Sequence, residues 1–338
     1  MRIEEELAQV RPQKETLLTV GVFDGVHLGH QRLLTYLREQ AQKNNWLSCV
    51  VTFKSHPQAV LSAEGRPLWV SDLESRIDLL RGLGIDVIVA LPFTSELAQL
   101  TAREFVQLLK GHLKMRGLVV GPDFALGKNR EGDADRLRLL GQEMSFTVEV
   151  IPPVVLDGQV VSSSAVRQAL ARGDMKRVEK LFGRPFSLSG QVVTGDERGR
   201  TLGYPTANLD VSPEQALPND GVYVTVAHLG GESLPSVTNI GIRPTFGGGK
   251  RLVEAYLLDY EGELHQQRLR IDLLDRLRDE KRFANAEELK AAIRKDVERA
   301  KAILDKRLSK CKSQDSKMQN HKSEFKEQFK SLVPESRE

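Results

Sequence analysis

Gly21-Val22-Phe23-Asp24-Gly25-Val26-His27-Leu28-Gly29-His30 is the stretch on which the fold of this chain turns. It continues an apolar run, Leu17 to Phe23, and leads into Leu33, Leu34, Leu37 and Ala41, which recur at helical spacing. A strand that passes through glycines into a helix opens an α/β unit. Glycines at such a turn, here Gly21, Gly25 and Gly29, let backbone approach a phosphate chain, and the helix N-terminus adds amides of partial positive charge. His27 and His30 can then present two donors to one phosphate. A lone histidine in this place is more often a cap or a surface residue; strand, glycines and paired histidines together point to phosphate chemistry. Transfer at a phosphorus needs charge neutralised as that phosphorus becomes five-coordinate, and positioned donors supply that without a covalent intermediate.

Outward from this stretch the first half keeps alternating. Ser48 to Phe53, Asp86 to Leu91, Gly117 to Val120 and Thr147 to Ile151 read as buried parallel strands, with amphipathic segments between them, among them Ile77, Leu79, Leu80 and Leu83. Thr101 with Glu104 has capping-box spacing and predicts a helix start. The pattern predicts a doubly wound α/β domain that binds ligands at the carboxyl ends of its strands.

After Arg184-Pro185 the texture changes to β runs separated by turn residues: Leu188 to Val193, Val222 to Leu229, Ser236 to Ile240, Leu252 to Leu258 and Arg268 to Leu274. A small closed β-barrel fits them. A last helix capped by Asn285 should bury Leu289, Ile293, Val297, Ala300 and Leu304. The expected partition is residues 1–183, residues 184–308 and a polar tail, 309–338, disordered or loosely helical because it carries too little apolar surface to offset ordering entropy.

Composition narrows the function classes. The 338 residues suit two domains, with 40% hydrophobic and 28% charged residues and no apolar run of membrane-spanning length. Glu4, Glu5 and Glu6 stand where a signal peptide needs basic residues, and Cys49 and Cys311 supply neither a disulfide framework nor a zinc set, so the expected location is the cytoplasm. A net charge of +3, with basic and acidic residues interleaved, gives little support to nucleic-acid or membrane binding. The sequence sets no oligomeric state.

The opening stretch resembles the H-x-G-H signature of nucleotidylyltransferases, in the longer form found in FAD synthetases. Further matches follow in order at Phe53-Lys54-Ser55-His56-Pro57, at Val120 to Gly127, and at Ser162-Ser163-Ser164-Ala165-Val166-Arg167. Ser164 departs from the family's usual threonine but keeps the hydroxyl. The resemblance implies that His27 and His30 act on the ATP phosphates and that Gly21, Phe23, Asp24 and Gly29 help hold the nucleotide. It also implies that Ser163, Ser164 and Arg167 complete the phosphate clamp, and that Asp123 and Phe124 line the flavin site.

Gly199-Arg200-Thr201-Leu202-Gly203-Tyr204-Pro205-Thr206-Ala207-Asn208 resembles the riboflavin kinase motif, and Asn239 to Phe246 and Val253-Glu254-Ala255-Tyr256 match two further kinase segments. Glycine-rich backbone at Gly199 and Gly203 can approach phosphates, and Thr206 and Asn208 offer neutral oxygens for magnesium while the substrate brings the negative charge. A glutamate in an apolar strand is costly unless it is paired or used, which makes Glu254 the expected general base; the alternative is an outward glutamate on an edge strand. Arg278 falls in a stretch that the resemblance places near the flavin. At Leu264-His265-Gln266 the family typically shows Leu-Tyr-Gly, which puts the local turn geometry in question. The resemblance implies a nucleotidylyltransferase-like parallel sheet followed by a riboflavin-kinase-like barrel, using ATP and Mg2+ to convert riboflavin to FMN and FMN to FAD. Other readings are an adenylyltransferase for another phosphorylated precursor with a degenerate second domain, and a non-enzymatic flavin- or RNA-binding protein, encouraged by a pI of 8.7.

Overall fold

The computed structural model describes residues 3–61, 67–195, 202–242 and 251–330, with the backbone alone for residue 308 and residues 310–330. The chain divides into two compact units, Met1–Phe186 with Ser212–Asn219, and Ser187–Val211 with Asp220–Glu338. The division falls slightly after the expected boundary at 183/184, and a short segment of the second half is counted with the first unit.

The first unit is built on β1 (Thr16–Val20), β2 (Leu47–Phe53), β3 (Val87–Leu91), β4 (Met115–Val120) and β5 (Thr147–Val150), all parallel, in the order β3-β2-β1-β4-β5. The chain winds outward from β1 in one direction and then from β4 in the other, so a crevice opens beyond the carboxyl ends of β1 and β4. Thr101 and Glu104 form both halves of a capping box at the helix Ala102–Leu113. Apolar residues pack on both faces of the sheet: Val51, Leu91, Phe105 and Leu109 lie on one side, and Leu34, Leu37, Val50 and Leu80 on the other.

The first strand ends at Val20 and does not reach Phe23. Phe23 (φ 50°), Gly25 (φ 76°) and Val26 (φ 43°) are left-handed, and a strand cannot continue through such residues. For a β-branched residue like Val26 this conformation costs on the order of 1–3 kcal/mol, which surrounding contacts must offset. A hairpin not anticipated from the sequence, β6 (Val155–Leu156) with β7 (Gln159–Val160), precedes the helix Ser163–Ala171. The segment Ser212–Asn219 packs in this unit. The Trp69 amide donates to the Glu214 carbonyl at 2.7 Å, and the Ala216 amide to the Trp69 carbonyl at 2.7 Å.

The second unit is a closed barrel of β8 (Phe186–Val193), β9 (Ala207–Asp210), β10 (Gly221–Leu229), β11 (Glu232–Ile242), β12 (Arg251–Leu257) and β13 (Arg268–Arg278), in the order β10-β11-β12-β9-β8-β13. Tyr223, Thr225, Ala255 and Ile271 are fully buried. On the other side of the same strands, Val222, Val224, Val237 and Leu274 pack against Ala300 and Leu304 of the terminal helix. Asn285 caps that helix, accepting from the Glu288 amide at 2.9 Å. Its backbone runs as Ala286–Lys330, so the expected break at 309 is no interruption; residues 331–338 lie outside the described residues.

At the questioned turn, Gln266 is left-handed (φ 63°) and its amide donates to the Val192 carbonyl at 2.9 Å. Glycine would adopt this φ without a Cβ penalty of about 1–2 kcal/mol, partly cancelled by its larger unfolded-state entropy. Gln266→Gly should therefore stabilise the barrel by about 0.5 kcal/mol, read as a raised urea midpoint at unchanged m-value. A lowered midpoint would mean that the glutamine side chain holds the turn.

Candidate functional site

The loop Val22–Val26 at the end of β1 has each of its carbonyls taken. Val22 accepts from Thr52 Oγ1 (3.1 Å) and Arg76 Nη1 (2.6 Å), and Phe23 from the Val26 amide (3.1 Å). Asp24 accepts from Ser163 Oγ (3.0 Å), Gly25 from Arg184 Nη2 (2.7 Å), and Val26 from Gln31 Nε2 (2.9 Å). These bonds, with the burial of Phe23 and Val26, hold the left-handed backbone in place.

Asp24 is 2% exposed, and its carboxylate faces protein partners. It accepts from the amides of Val70 (2.9 Å) and Ser71 (3.1 Å) and from Arg167 Nη2 (2.5 Å). Arg167 Nε in turn donates to the Leu68 carbonyl at 2.7 Å. Burial pushes the Asp24 carboxyl above its usual range, against the two amides and the cations of Arg167 and Arg76. Asp24 thus holds Arg167 and the backbone of Val70 and Ser71.

His27 is the N-cap of the helix Leu28–Lys43, its Nδ1 accepting from the His30 amide at 3.4 Å. Capping and phosphate chemistry are compatible, because an Nδ1 acceptor leaves Nε2 as the donor of a neutral ring. The two imidazoles stack at 3.7 Å between centroids, and the Phe23 edge meets His30 at 5.1 Å. His30 Nδ1 is buried with no hydrogen-bond partner among the described residues. Burial lowers both histidines: His27 falls to about 4, with help from Arg184 and Arg167, and His30 falls well below its ordinary value, with help from His27 and Arg76. A Cβ on Gly29 would stand 3.1 Å from the His27 ring, and one on Gly21 3.0 Å from Phe23, so both glycines make room for these rings.

Ser162 caps the helix Ser163–Ala171, Ser164 is exposed, and Ser163 reaches the Asp24 carbonyl. The end of β4 leads to Gly121, Asp123 and Phe124. Asp123 is exposed, its carbonyl accepting from Arg130 Nη2 at 2.8 Å, and Phe124 packs half-buried against the core. The structure therefore brings His27, His30, Asp24, Ser163 and Arg167 to one end of the sheet. It adds three residues that the sequence reading passed over. Arg76 lies one helical turn before Leu80 and so on the buried face of its helix; Arg184 stood at the expected boundary between the two domains; His56 was quoted in a motif but given no role. Burial, with Arg167 and Arg76, lowers His56 to about 4.

In the barrel, Glu254 pairs with Asn208 of β9 on one side and with Asn239 of β11 on the other. Directly opposed residues share a face, so the carboxylate stands in a row between two carboxamides. Glu254 is half-buried between Val253 and Ala255, whose side chains point to the barrel interior. It shares the outer face with Tyr256, which meets the Tyr204 ring edge-on at 5.3 Å. In the closed barrel β12 has a neighbour on each side, so the edge-strand half of the alternative does not apply, while its outward-facing half does. A Cβ on Gly195 would lie 2.0 Å from Asn208 Nδ2, so only a glycine there leaves room for the carboxamide. Thr206 is exposed beside it, and Gly203 (φ 84°) turns the chain into this segment; Gly199 lies outside the described residues. Arg278 is gripped by the buried Asp296, Nε to Oδ2 at 2.9 Å, and lies over Phe283 at 5.5 Å.

A parallel sheet with its phosphate-type loop at the switch point, followed by a closed barrel carrying a Glu–Asn row, defines a two-site, nucleotide-using protein. The FAD synthetase family model matches residues 9–165, and the riboflavin kinase model matches residues 182–304. The bifunctional riboflavin kinase/FMN adenylyltransferase of Pseudomonas fluorescens is 41% identical over 306 residues, covering 90% of this chain and 98% of that protein. The Escherichia coli K12 protein of the same description is 40% identical, covering 84% and 91%. The chain belongs to the bifunctional riboflavin kinase/FMN adenylyltransferase family. A solved structure described as a macrolide-efflux protein from Streptococcus pneumoniae has the same fold, with a TM-score of 0.81 and 29% identity over 87% of this chain and 96% of that one. Among the described residues no helix is long and apolar enough to cross a membrane.

His27 carries a pH signature. Its folded value of about 4 lies below the unfolded value of 6.5, so the unfolded chain binds the proton first as pH falls. Stability is full above pH 6.5 and is lost between 6.5 and 4, by at most about 1.4 kcal/mol per pH unit for this group. His27→Asn should flatten that part of the stability profile measured by urea titration; an unchanged slope would show that His27 is hydrated in the folded state.

Proposed function

We propose that the chain phosphorylates riboflavin with ATP to give FMN in its second unit, and transfers AMP from ATP to FMN in its first, releasing pyrophosphate. The observation that carries this reading is that both motif sets converge, each in its own unit: the His27, His30, Ser163 and Arg167 cluster around Asp24, and the Asn208, Glu254 and Asn239 row. Residues 1–183 serve as the adenylyltransferase and 184–308 as the kinase, with 309–338 outside both activities; the expected setting is the cytoplasm.

In the first step Glu254 takes the proton of the ribityl hydroxyl as its oxygen bonds the γ-phosphorus and the bond to ADP breaks. Thr206 and Asn208 would hold magnesium. Neutral oxygens suit that ion when phosphates supply the charge, and the Gly195 clearance keeps the Asn208 carboxamide in its row with Glu254. The ion supplies charge neutralisation at the phosphates. Gly199 and Gly203 let backbone approach the nucleotide, and Arg278 borders the flavin.

In the second step a phosphate oxygen of FMN bonds the α-phosphorus and pyrophosphate leaves. His27 and His30, neutral by burial, donate to the phosphate oxygens as charge builds. Gly21, Phe23 and Gly29 shape the loop around the two imidazoles. Arg167, aimed by Asp24, and Ser163 and Ser164 clamp the phosphate chain, while Asp123 and Phe124 line the flavin side.

Two variants separate the sites when riboflavin, FMN and FAD are resolved by chromatography after incubation with MgATP. His27→Ala with His30→Ala should abolish FAD formation, at a cost of about a hundredfold or more per lost donor, and leave FMN formation intact. Glu254→Gln should slow riboflavin phosphorylation by about a hundredfold to ten-thousandfold, yet convert supplied FMN to FAD at the wild-type rate. Normal FAD synthesis by the first variant, or normal phosphorylation by the second, would overturn the corresponding assignment.

A further inference from the structure

Arg76 is the largest fully buried side chain, at 1% exposure, in a unit whose other large buried side chains are apolar. A buried guanidinium is costly unless its donors and charge are used. Its Nη1 donates to the Val22 carbonyl at 2.6 Å and its Nη2 to the Phe53 carbonyl at 3.0 Å. Phe53 is the last residue of β2, and Val22 opens the loop that leads to His27. One planar group therefore bridges the carboxyl ends of adjacent strands at the root of that loop. Its Cζ lies over the Trp69 ring, 4.4 Å from the centroid, and Trp69 is fixed through its own amide and carbonyl and meets the His56 ring edge-on at 5.2 Å. No carboxylate hydrogen-bonds to Arg76 among the described residues, and Nε has no partner there; Asp24 and Asp72 act on it through space. Burial lowers Arg76 to about 10, which leaves it charged at neutral pH.

We propose that Arg76 is a positioning residue for the adenylyl transfer: a fixed, buried cation that ties β1 to β2 and sets both the place of the His27–His30 loop and the positive potential that the triphosphate enters. This rests on the adenylyltransferase reading of the first unit. The cation touches no expected substrate atom. It acts through the Val22 carbonyl on the loop, and through space on His30 and His56, both of which it helps to keep neutral. His30 is faced by His27 and Arg76, His56 by Arg167 and Arg76, and His27 by Arg184 and Arg167, so a missing Arg76 removes one cation from two of the three imidazoles.

The test compares Arg76→Met with Arg76→Lys in the full-length protein, measuring kcat and KM for FMN adenylylation from pH 5 to 9, with riboflavin phosphorylation as an internal standard. Arg76→Met removes the charge and both bonds, and its kcat should fall by about a hundredfold. Removing the cation raises the proton affinity of His30 and His56, so the acid limb of its rate profile should move to higher pH. Arg76→Lys keeps the charge and can reach at least one of the two carbonyls; it should retain kcat within about tenfold and leave the acid limb in place. Riboflavin phosphorylation should be unchanged in both. Wild-type kcat and an unmoved limb in folded Arg76→Met would overturn the proposal. So would an Arg76→Lys variant that falls as far as Arg76→Met, since the site would then need the guanidinium's packing on Trp69 and not its charge. If Arg76→Met does not fold, the lysine variant decides by the same criteria. Failure of the wild type to adenylylate FMN would strike the underlying reading instead.

Discussion

The carboxylate of Asp24 is the interaction on which the first unit depends. It accepts two amides from the stretch after Trp69 and the guanidinium of Arg167, while its own carbonyl takes the Ser163 hydroxyl. Residues far apart in sequence therefore meet at one acid. Because it is buried, each partner is held tightly, and losing one would leave charge without compensation. The left-handed backbone on either side follows from this constraint. Phe23 and Val26 occupy left-handed conformations that side-chain-bearing residues rarely adopt, held there by burial and by the donors to each carbonyl of the loop.

Much of this architecture was legible from the sequence. The parallel strands were visible as short apolar runs, and the helix starts at Thr101 and Asn285 obeyed capping chemistry that is local and therefore readable. The position of the loop at the end of the first strand followed from its glycines and paired histidines between a strand and a helix. What stayed hidden depends on contacts between distant residues. Nothing local announces that Val26 will be left-handed, and β9 lay concealed because its residues, Ala207 to Asp210, were read as motif before they were read as strand. Arg76 was masked by its chemistry. The periodicity of Leu80 and Leu83 places it on the buried face, but charged residues are discounted when a core is listed from sequence. The tail, read as disordered or loosely helical, is helical along its backbone. Its composition cannot build a core, yet Lys, Glu, Gln and Met are good helix formers, and backbone helicity does not require a core.

The two units solve opposite electrostatic problems. The barrel row sets a single carboxylate between two neutral carboxamides. The α/β unit sets Arg76 and Arg167 around one buried acid, adds Arg184 near His27, and holds its imidazoles neutral. A charged imidazole there would add to a cluster of cations, which is why burial and the neighbouring arginines act in the same direction on His27 and His30.

On the adenylyltransferase reading, that gathering of arginines has a further consequence when a polyphosphate arrives. By Coulomb's law the anion raises the proton affinity of every nearby base. Histidines held well below their ordinary range are moved back toward it by the same ligand that needs their hydrogen bonds. Their donation therefore strengthens as negative charge builds on the phosphates, and most where it builds most. On that reading, neutral imidazoles among buried arginines favour the charge distribution of the transition state over that of the bound substrate, which is the condition for catalysis by differential binding.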